Sequence, residues 1–227
     1  MGLRVLVDDR IHPIEWASAS HYTACSLRGI TTIGCRLVLQ DGIGYTDTMH
    51  PAALVPEFDA FLEGRGLRLE AILVGGAALA LLGVISRETR DVDVLVPVLP
   101  IEIADAARTF AAESRTRGIA LEAEWLNNGP ASLTKDLPRG WEARKQLVYS
   151  GRSLVLHVLG RPDLLKSKLW SLCDRGRDIL DCVAMAPSPE ELQEALPWIT
   201  ELDGAPEWPA HVEATLADLG RRLGHAV

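Results

Sequence analysis

The stretch ILVGGAALALLGVISRETRDVDVLVP, residues 72–97, decides the fold. Its first part predicts a short buried strand over 69–74, which ends at Gly75–Gly76, and then an apolar helix over 77–83. Two glycines after a strand let the backbone approach a phosphate chain closely, and the start of the next helix offers free N–H groups to an anion. This part of the chain therefore predicts a phosphate-binding turn.

Two carboxylates follow on the next strand, predicted over 90–97. Residues two apart on a strand point to the same face, so Asp91 and Asp93 project together while Val92 and Val94 point into the core. Neighbouring carboxylates repel each other unless a hard cation lies between them, and Mg²⁺ favours one or two carboxylates completed by phosphate and water. The pattern predicts Mg²⁺, which Mn²⁺ could replace. Two such ions would stabilise both the attacking and the leaving oxygen of a phosphoryl displacement.

The rest of the chain alternates between helical and strand periodicity. We predict an α+β fold, with a mixed sheet and flanking helices over 49–160 and a helical part over 161–227. The further predicted elements are a helix within 49–66, a helix over 101–118, a strand over 119–126, a hairpin over 145–160 that turns at Ser150–Gly151, and helices over 163–174, 176–185, 189–198 and 209–223.

Residues 1–48 have a different character, with frequent Gly, Thr, Ser and Cys and no helical stripe. RVLV (4–7), CRLVLQD (35–41) and GIGY (42–45) could form short strands. Because Met49 opens a well-patterned amphipathic helix, the alternative is that the protein starts there. We expect residues 1–48 to be either a poorly ordered extension or a start-site artefact.

Composition excludes several classes of protein. The chain has 227 residues with 48% hydrophobic and 24% charged side chains, which excludes a mainly disordered chain. No apolar run approaches the roughly 20 residues that span a bilayer. The net charge of −8 argues against broad, nonspecific nucleic-acid binding. The 4 cysteines form no CxxC pair, so we expect a cytoplasmic protein with reduced thiols and no membrane partner.

The order strand, Gly75–Gly76, helix and Asp91-Val92-Asp93 resembles the nucleotidyltransferases of the DNA polymerase beta superfamily, whose signature is a Gly-Gly or Gly-Ser turn followed by two aspartates alternating with hydrophobic residues. The segments 125–144 and 162–181 resemble a bacterial branch related to the AbiEii toxins of abortive-infection and toxin–antitoxin systems. Its later motifs are a Leu-rich helix with a lysine, here Lys168, and Arg-Asp-x-x-Asp, here 177–181. The resemblance covers roughly residues 50–200.

The resemblance implies roles for individual residues. Lys168 would be a phosphate ligand, with Asp178 orienting it or taking part in proton transfer. A third metal-binding carboxylate would come from a later strand beside the aspartates, where Glu122 and Glu124 are the candidates and Glu124 is preferred. Arg87 and Thr89 could contact phosphate, or they could cap the turn before the strand.

Other residues near these motifs have simpler interpretations. Asn127 and Asn128 precede Gly129-Pro130 and are typical of a turn. The tryptophans Trp125, Trp141, Trp170, Trp198 and Trp208 are predicted to pack in the core rather than to stack on a base.

We therefore expect a Mg²⁺-dependent nucleotidyltransferase that moves a nucleoside monophosphate from an NTP to a hydroxyl or phosphate. The acceptor would be RNA such as tRNA, a protein or a small molecule, and the protein could be one component of a toxin–antitoxin pair with a cognate partner. The alternative is a non-catalytic member of the same fold that binds a nucleotide or a protein. The lack of a clear third carboxylate in the sequence favours that alternative.

Overall fold

The structure is a computed structural model that describes residues 4–7, 10–13 and 51–225. The chain divides into two compact units, Met1–Gly44 and Tyr45–Val227.

In the first unit, strands β1 (Arg4–Val7) and β2 (Arg10–Pro13) pair antiparallel. The strand predicted over 4–7 is therefore present. The strands predicted over 35–41 and 42–45 lie outside the described residues.

The second unit is built around a five-stranded mixed sheet in the order β5-β4-β3-β7-β6. The central strand β3 is antiparallel to β4 and parallel to β7, while β4 is parallel to β5 and β6 is antiparallel to β7. This arrangement confirms the predicted mixed sheet. The strands are β3 (Leu69–Val74), β4 (Val92–Val96), β5 (Leu126–Asn127), β6 (Gln146–Ser150) and β7 (Leu154–Val158).

Seven α-helices in the described residues flank or follow this sheet, close to the predicted positions. Ser188 precedes α6 and forms a capping box with Glu191. The Ser188 hydroxyl accepts from the backbone N–H of Glu191, and the Glu191 carboxylate accepts from the backbone N–H of Ser188. The helices are α1 (Pro51–Glu63), α2 (Gly75–Leu81), α3 (Ile101–Thr116), α4 (Arg161–Arg175), α5 (Ile179–Met185), α6 (Pro189–Thr200) and α7 (Trp208–Arg222).

The predicted strand over 119–126 is wrong except at its last residue. The backbone N–H of Trp125 donates to the carbonyl of Glu122, so the chain turns there instead of extending. The indole of Trp125 is buried and donates to the carbonyl of Ala107 at 3.0 Å. The alternating apolar residues thus reflect a turn held against α3, and only Leu126–Asn127 pairs with β4.

A buried carboxylate joins α1 to the β6–β7 hairpin. Asp59 accepts backbone N–H groups from Ser153 at 2.8 Å, Leu154 at 2.7 Å and Arg152 at 3.1 Å. Burial by itself would raise the pKa of Asp59, but these hydrogen bonds lower it overall. The carboxylate therefore satisfies the backbone of the turn that connects the two strands.

The sheet and helices of this unit share one hydrophobic core, which contains the Phe58, Phe110 and Trp125 rings in mutual contact. Val92 and Val94 are buried in it, as the alternation on β4 predicts. Among the helices of the described residues, none has the length and apolar character needed to cross a bilayer.

Candidate active site

The turn between β3 and α2 lies directly against β4. Gly75 has a φ of +76°, and a Cβ placed on it would lie 2.5 Å from Oδ2 of Asp93. A Cβ on Gly76 would lie 3.2 Å from Cγ2 of Thr89. Glycine is therefore required at position 75 for two reasons, because the backbone is left-handed there and because the Asp93 carboxylate fills the space.

Asp91 and Asp93 line the same cleft, which has a volume of about 870 Å³. Asp91 lies just before β4 and is exposed, whereas Asp93 lies within the strand and is half-buried. Burial and the negative charge of Asp91 raise the pKa of Asp93 to about 6, against the opposing effects of Lys168 and a hydrogen bond from Asn127. The predicted carboxylate pair is thus present, and its members repel each other.

The segment before β4 holds this pair in place. Thr89 is buried, and its hydroxyl donates to the carbonyl of Asp91 at 3.3 Å. Arg87 donates to Oδ1 of Asp181 through Nη2 at 2.6 Å and Nε at 3.2 Å. Both residues line the cleft. However, the Thr89 hydroxyl is bound to the backbone before β4, and the Arg87 guanidinium is bound to Asp181 of α5.

Lys168 of α4 lies at the base of the cleft with only 7% of its side chain exposed. Its Nζ is 2.7 Å from Oδ2 of Asp181 and 3.3 Å from Oδ2 of Asp178. The ammonium predicted to bind phosphate is therefore already paired with two carboxylates. Its positive charge nevertheless stabilises the ionised form of Asp93.

Asp181 is a central residue of this network that sequence reasoning did not assign to the site. Its side chain is 1% exposed and links Lys168 of α4 to Arg87 before β4. Burial by itself would raise the pKa of Asp181, but its contacts with the cationic Lys168 and Arg87 lower it overall. The signal that could have found it was its spacing of three residues from Asp178 within the Arg-Asp-x-x-Asp motif.

Asp178 precedes α5 with a φ of +66°, which is uncommon for a residue other than glycine. Its side chain is 28% exposed, pairs with Lys168 and contributes to the raised pKa of Asp93. Strained backbone of this kind concentrates where a side chain is held for function. The structure brings Asp178 into the cleft that Asp91 and Asp93 line.

Glu124, which was predicted to be the third metal ligand, lies outside the cleft. Its carboxylate is 71% exposed, lies 3.6 Å from Nη1 of Arg108 on α3, and does not line the cleft. Glu122 is likewise exposed and outside the cleft. Both residues fall in the turn that replaces the predicted strand, so neither carboxylate is carried alongside β4.

Asn127 takes the place on β5 that the third carboxylate was expected to have. It pairs with Asp93 in the register of the parallel β4 and β5 strands, and its Oδ1 accepts from the backbone N–H of Gly129 at 2.7 Å. Asn127 was interpreted as a turn residue from the sequence. Within the described part of the chain, no three His, Cys, Asp or Glu side chains form a metal-binding group.

Three other cations line the cleft, and one of them, Arg175, is paired with its neighbour Asp174. Within residues 51–225, Arg90 and Arg177 have no hydrogen bond or ion pair to another described side chain, and both are exposed. Since Arg87 and Lys168 are engaged, these two guanidinium groups are the ones available to an anionic ligand. Arginine binds phosphate through two parallel N–H donors.

The donor set at the cleft fits one hard cation. Asp91 and Asp93 offer carboxylate oxygens, which Mg²⁺ prefers, and the repulsion that raises the pKa of Asp93 would be relieved by a bound cation. The remaining positions around such an ion would belong to water or to substrate phosphate.

Comparison with known proteins identifies the family of the chain. A sequence search against curated proteins finds no match. Among solved structures, the chain is similar to an antigenic nucleotidyltransferase-like protein from Paracoccidioides brasiliensis, with 18% identity, a TM-score of 0.39 and coverage of 73% of this chain and 93% of that chain. The model of a family described as nucleotidyltransferases of unknown function, DUF6036, matches residues 53–186, which is more than half of the chain and includes every cleft residue named above. The chain therefore belongs to the DUF6036 family of nucleotidyltransferases.

Proposed function

We propose that the protein transfers a nucleoside monophosphate from an NTP to a hydroxyl or phosphate of an acceptor. The observation that supports this most strongly is the contact between the Gly75 turn and the Asp93 carboxylate. A turn without side chains, where a phosphate chain can approach, lies beside the carboxylate pair of Asp91 and Asp93 at the start of β4.

Mg²⁺ would be held by Asp91 and Asp93, and it would supply neutralisation of the charge that develops on the phosphates. Two carboxylates are sufficient to hold one ion. The two ions expected from the sequence would need a third carboxylate, but the residue beside Asp93 on β5 is Asn127. The Asn127 amide would favour the ionised form of Asp93, beside which it lies in the strand register.

The triphosphate would lie over Gly75 and Gly76, with Thr89 at the edge of the turn. Arg90 and Arg177 are the unpaired cations of the cleft within the described residues, so they would contact phosphate oxygens directly. Lys168 would act from beneath, because its ammonium is already held by Asp178 and Asp181 and contributes positive potential at Asp93.

In the transfer step, the acceptor oxygen forms a bond to the α-phosphorus of the NTP. The bond from that phosphorus to the bridging oxygen of the β-phosphate breaks, and pyrophosphate leaves with the electron pair. The Asp178 carboxylate, which is held by Lys168 and partly exposed in the cleft, would accept the proton of an acceptor hydroxyl. Catalysis of this kind depends mainly on positioning and charge.

The test is to incubate the protein with each α-³²P-labelled NTP, Mg²⁺ and a cell lysate, and to fractionate the products. Label in RNA, in protein or in a small-molecule fraction would identify the acceptor class. A role in a toxin–antitoxin pair predicts, in addition, that expression of the active protein arrests growth and that the Asp93→Asn variant does not.

The second candidate function is nucleotide binding without transfer. Asn127 opposite Asp93 favours it, since an amide cannot supply the negative charge of a third carboxylate. The two functions are separated by measuring the thermal midpoint with Mg²⁺ and NTP next to the transfer assay. A ligand-induced rise in the midpoint with no product from any acceptor fraction would support binding alone.

A further inference from the structure

Trp170 differs from the other tryptophans of this unit in its surroundings. It is half-buried, rests partly against the core and lines the cleft. Trp125, Trp198 and Trp208 each donate their indole N–H to a backbone carbonyl, and Trp141 is buried away from the cleft. Within residues 51–225, no hydrogen bond or aromatic partner is found for the indole of Trp170. The Trp170 ring therefore packs partly against the core and lies at the cleft wall.

The α4 helix forms this wall, with a cationic side chain, Lys168, at one edge and an aromatic one, Trp170, at the other. Lys168 and Trp170 are two residues apart, which places them about 160° apart around the helix axis. Ser167 and Ser171 lie between them on the same face and also line the cleft. Arg175 donates to the Ser171 hydroxyl at 2.9 Å, so it lies on the same path. A ligand that crosses the helix here would have an ionic end near Lys168 and an apolar, planar end on Trp170.

The wall provided by the segment after β5 is also partly apolar. Pro130 and Leu133 line the cleft there, and Leu133 belongs to the 3-10 turn Ala131–Lys135. A flat ring bound to Trp170 would have these apolar side chains in the same cleft. Aromatic stacking requires a π-face and no particular pattern of hydrogen bonds, so it suits any nucleobase.

We propose that Trp170 is the stacking surface for the base of the NTP, so that the nucleotide lies across α4 with its phosphates toward Gly75 and Asp93. This inference rests on the proposed function, since it assumes that the cleft binds an NTP. It assigns Trp170 to substrate binding, in place of the core packing predicted from the sequence.

The test compares two ligands that differ only in whether they carry a nucleoside. Binding of each NTP and of inorganic tripolyphosphate, with Mg²⁺, is measured by calorimetry on the full chain. The Trp170→Leu variant keeps an apolar side chain against the core but removes the π-face, and Trp170→Phe restores an aromatic ring. Trp198→Leu is the matched control, because Trp198 is half-buried on α6 and does not line the cleft. Circular dichroism and the thermal midpoint establish that each variant is folded.

We expect Trp170→Leu to weaken NTP binding about 10-fold or more, a loss typical of one base–aromatic stack, while tripolyphosphate binding stays unchanged. Trp170→Phe should recover most of the NTP affinity, and Trp198→Leu should bind both ligands as the wild type does. If the wild type binds tripolyphosphate and NTP but Trp170→Leu keeps the same ratio of the two affinities, the stacking proposal is wrong. If the wild type binds neither ligand, the proposed function fails first, and with it this inference.

Discussion

Oδ2 of Asp93 lies where a side chain on Gly75 would begin, 2.5 Å from the position of its Cβ. The glycine turn and the aspartate strand are therefore parts of one structure, although 18 positions separate them in the chain (93 − 75). The same contact brings the backbone of the turn to the carboxylate, which is the arrangement that a phosphate chain bridged by a cation requires.

Replacing Gly75 by alanine should disrupt both stability and the site. A left-handed alanine costs about 1–2 kcal/mol, and the collision with Asp93 should add about 1–3 kcal/mol because a well-packed neighbour must move. The matched control is Gly83→Ala, since Gly83 has a φ of +70° but nothing within 4 Å of an added Cβ. Urea denaturation should show a clearly larger loss for Gly75→Ala. Equal losses for the two variants would mean that Asp93 does not fill the space.

The Asp93→Asn variant should be more stable than the wild type at pH 7.5 in the absence of divalent cations. Burial and the Asp91 charge raise the pKa of Asp93 from 3.8 to about 6, so the folded protein holds this proton after the unfolded chain has lost it. The contribution of Asp93 to the free energy of unfolding therefore falls as the pH rises from about 4 to about 6. The gain in the variant at pH 7.5 should be on the order of 2 kcal/mol.

This gain should disappear near pH 4, where Asp93 is protonated in the folded wild type. Urea denaturation at both pH values in EDTA measures it. Equal stability of the two proteins at pH 7.5, or a difference that does not depend on pH, would show that the carboxylate is not strained by its surroundings. Adding Mg²⁺ should raise the thermal midpoint of the wild type and not that of the variant.

Asp181→Asn should destabilise the fold, because it leaves the buried ammonium of Lys168 with a single carboxylate partner and breaks the pair with Arg87. Removing one member of a buried ion pair costs about 3–5 kcal/mol, and the remaining Asp178 should keep the loss near the lower value. Asp174→Asn provides the control, since the Asp174–Arg175 pair is about half exposed and worth no more than about 0.5 kcal/mol. Similar unfolding midpoints for the two variants would rule out the central role of Asp181.

Asp59→Asn should loosen α1 from the β6–β7 hairpin. The amide has one acceptor oxygen where the carboxylate accepts three backbone N–H groups, so the expected loss in the free energy of unfolding is about 2 kcal/mol. Amide hydrogen exchange should show faster exchange at Ser153 and Leu154. Glu63 lies on the same helix as Asp59 and forms an exposed ion pair with Arg152 of the hairpin turn. In Glu63→Gln, exchange at Ser153 and Leu154 should stay as in the wild type.

Local patterns were sufficient for the centre of the site. The strand over 69–74 was predicted with its observed bounds, because a short apolar run closed by two glycines leaves few alternatives. The alternation at 90–97 placed Val92 and Val94 in the core and Asp91 and Asp93 in the cleft, since the period of a strand fixes the side of each residue.

The neighbour of β4 could not be found in the same way. The run over 119–126 alternates like a strand, yet the hydrogen bond from Trp125 to Ala107 holds it as a turn against α3. Only the register of the sheet puts Asn127 beside Asp93 and leaves Glu124 with Arg108. Register depends on contacts between distant segments, which periodicity does not contain.

The state of Lys168 was also beyond the sequence. Its neighbours on the helix do not reveal that it is buried or that Asp178 and Asp181 reach it from α5. That pairing depends on how α4 and α5 pack. Charged groups in a buried network of this kind are positioned by the fold as a whole rather than by local spacing.

The most direct test of the central claim is the rate of Mg²⁺-dependent transfer of label from α-³²P NTP by the wild type, Asp93→Asn and Asp174→Asn. Asp174 lines the same cleft but lies outside the proposed machinery, so it controls for a change of charge. We predict that Asp93→Asn loses at least about 1,000-fold in rate, because loss of positioned charge costs several kcal/mol in the transition state, while Asp174→Asn stays within a few-fold of the wild type. Full transfer by a folded Asp93→Asn protein would contradict the account.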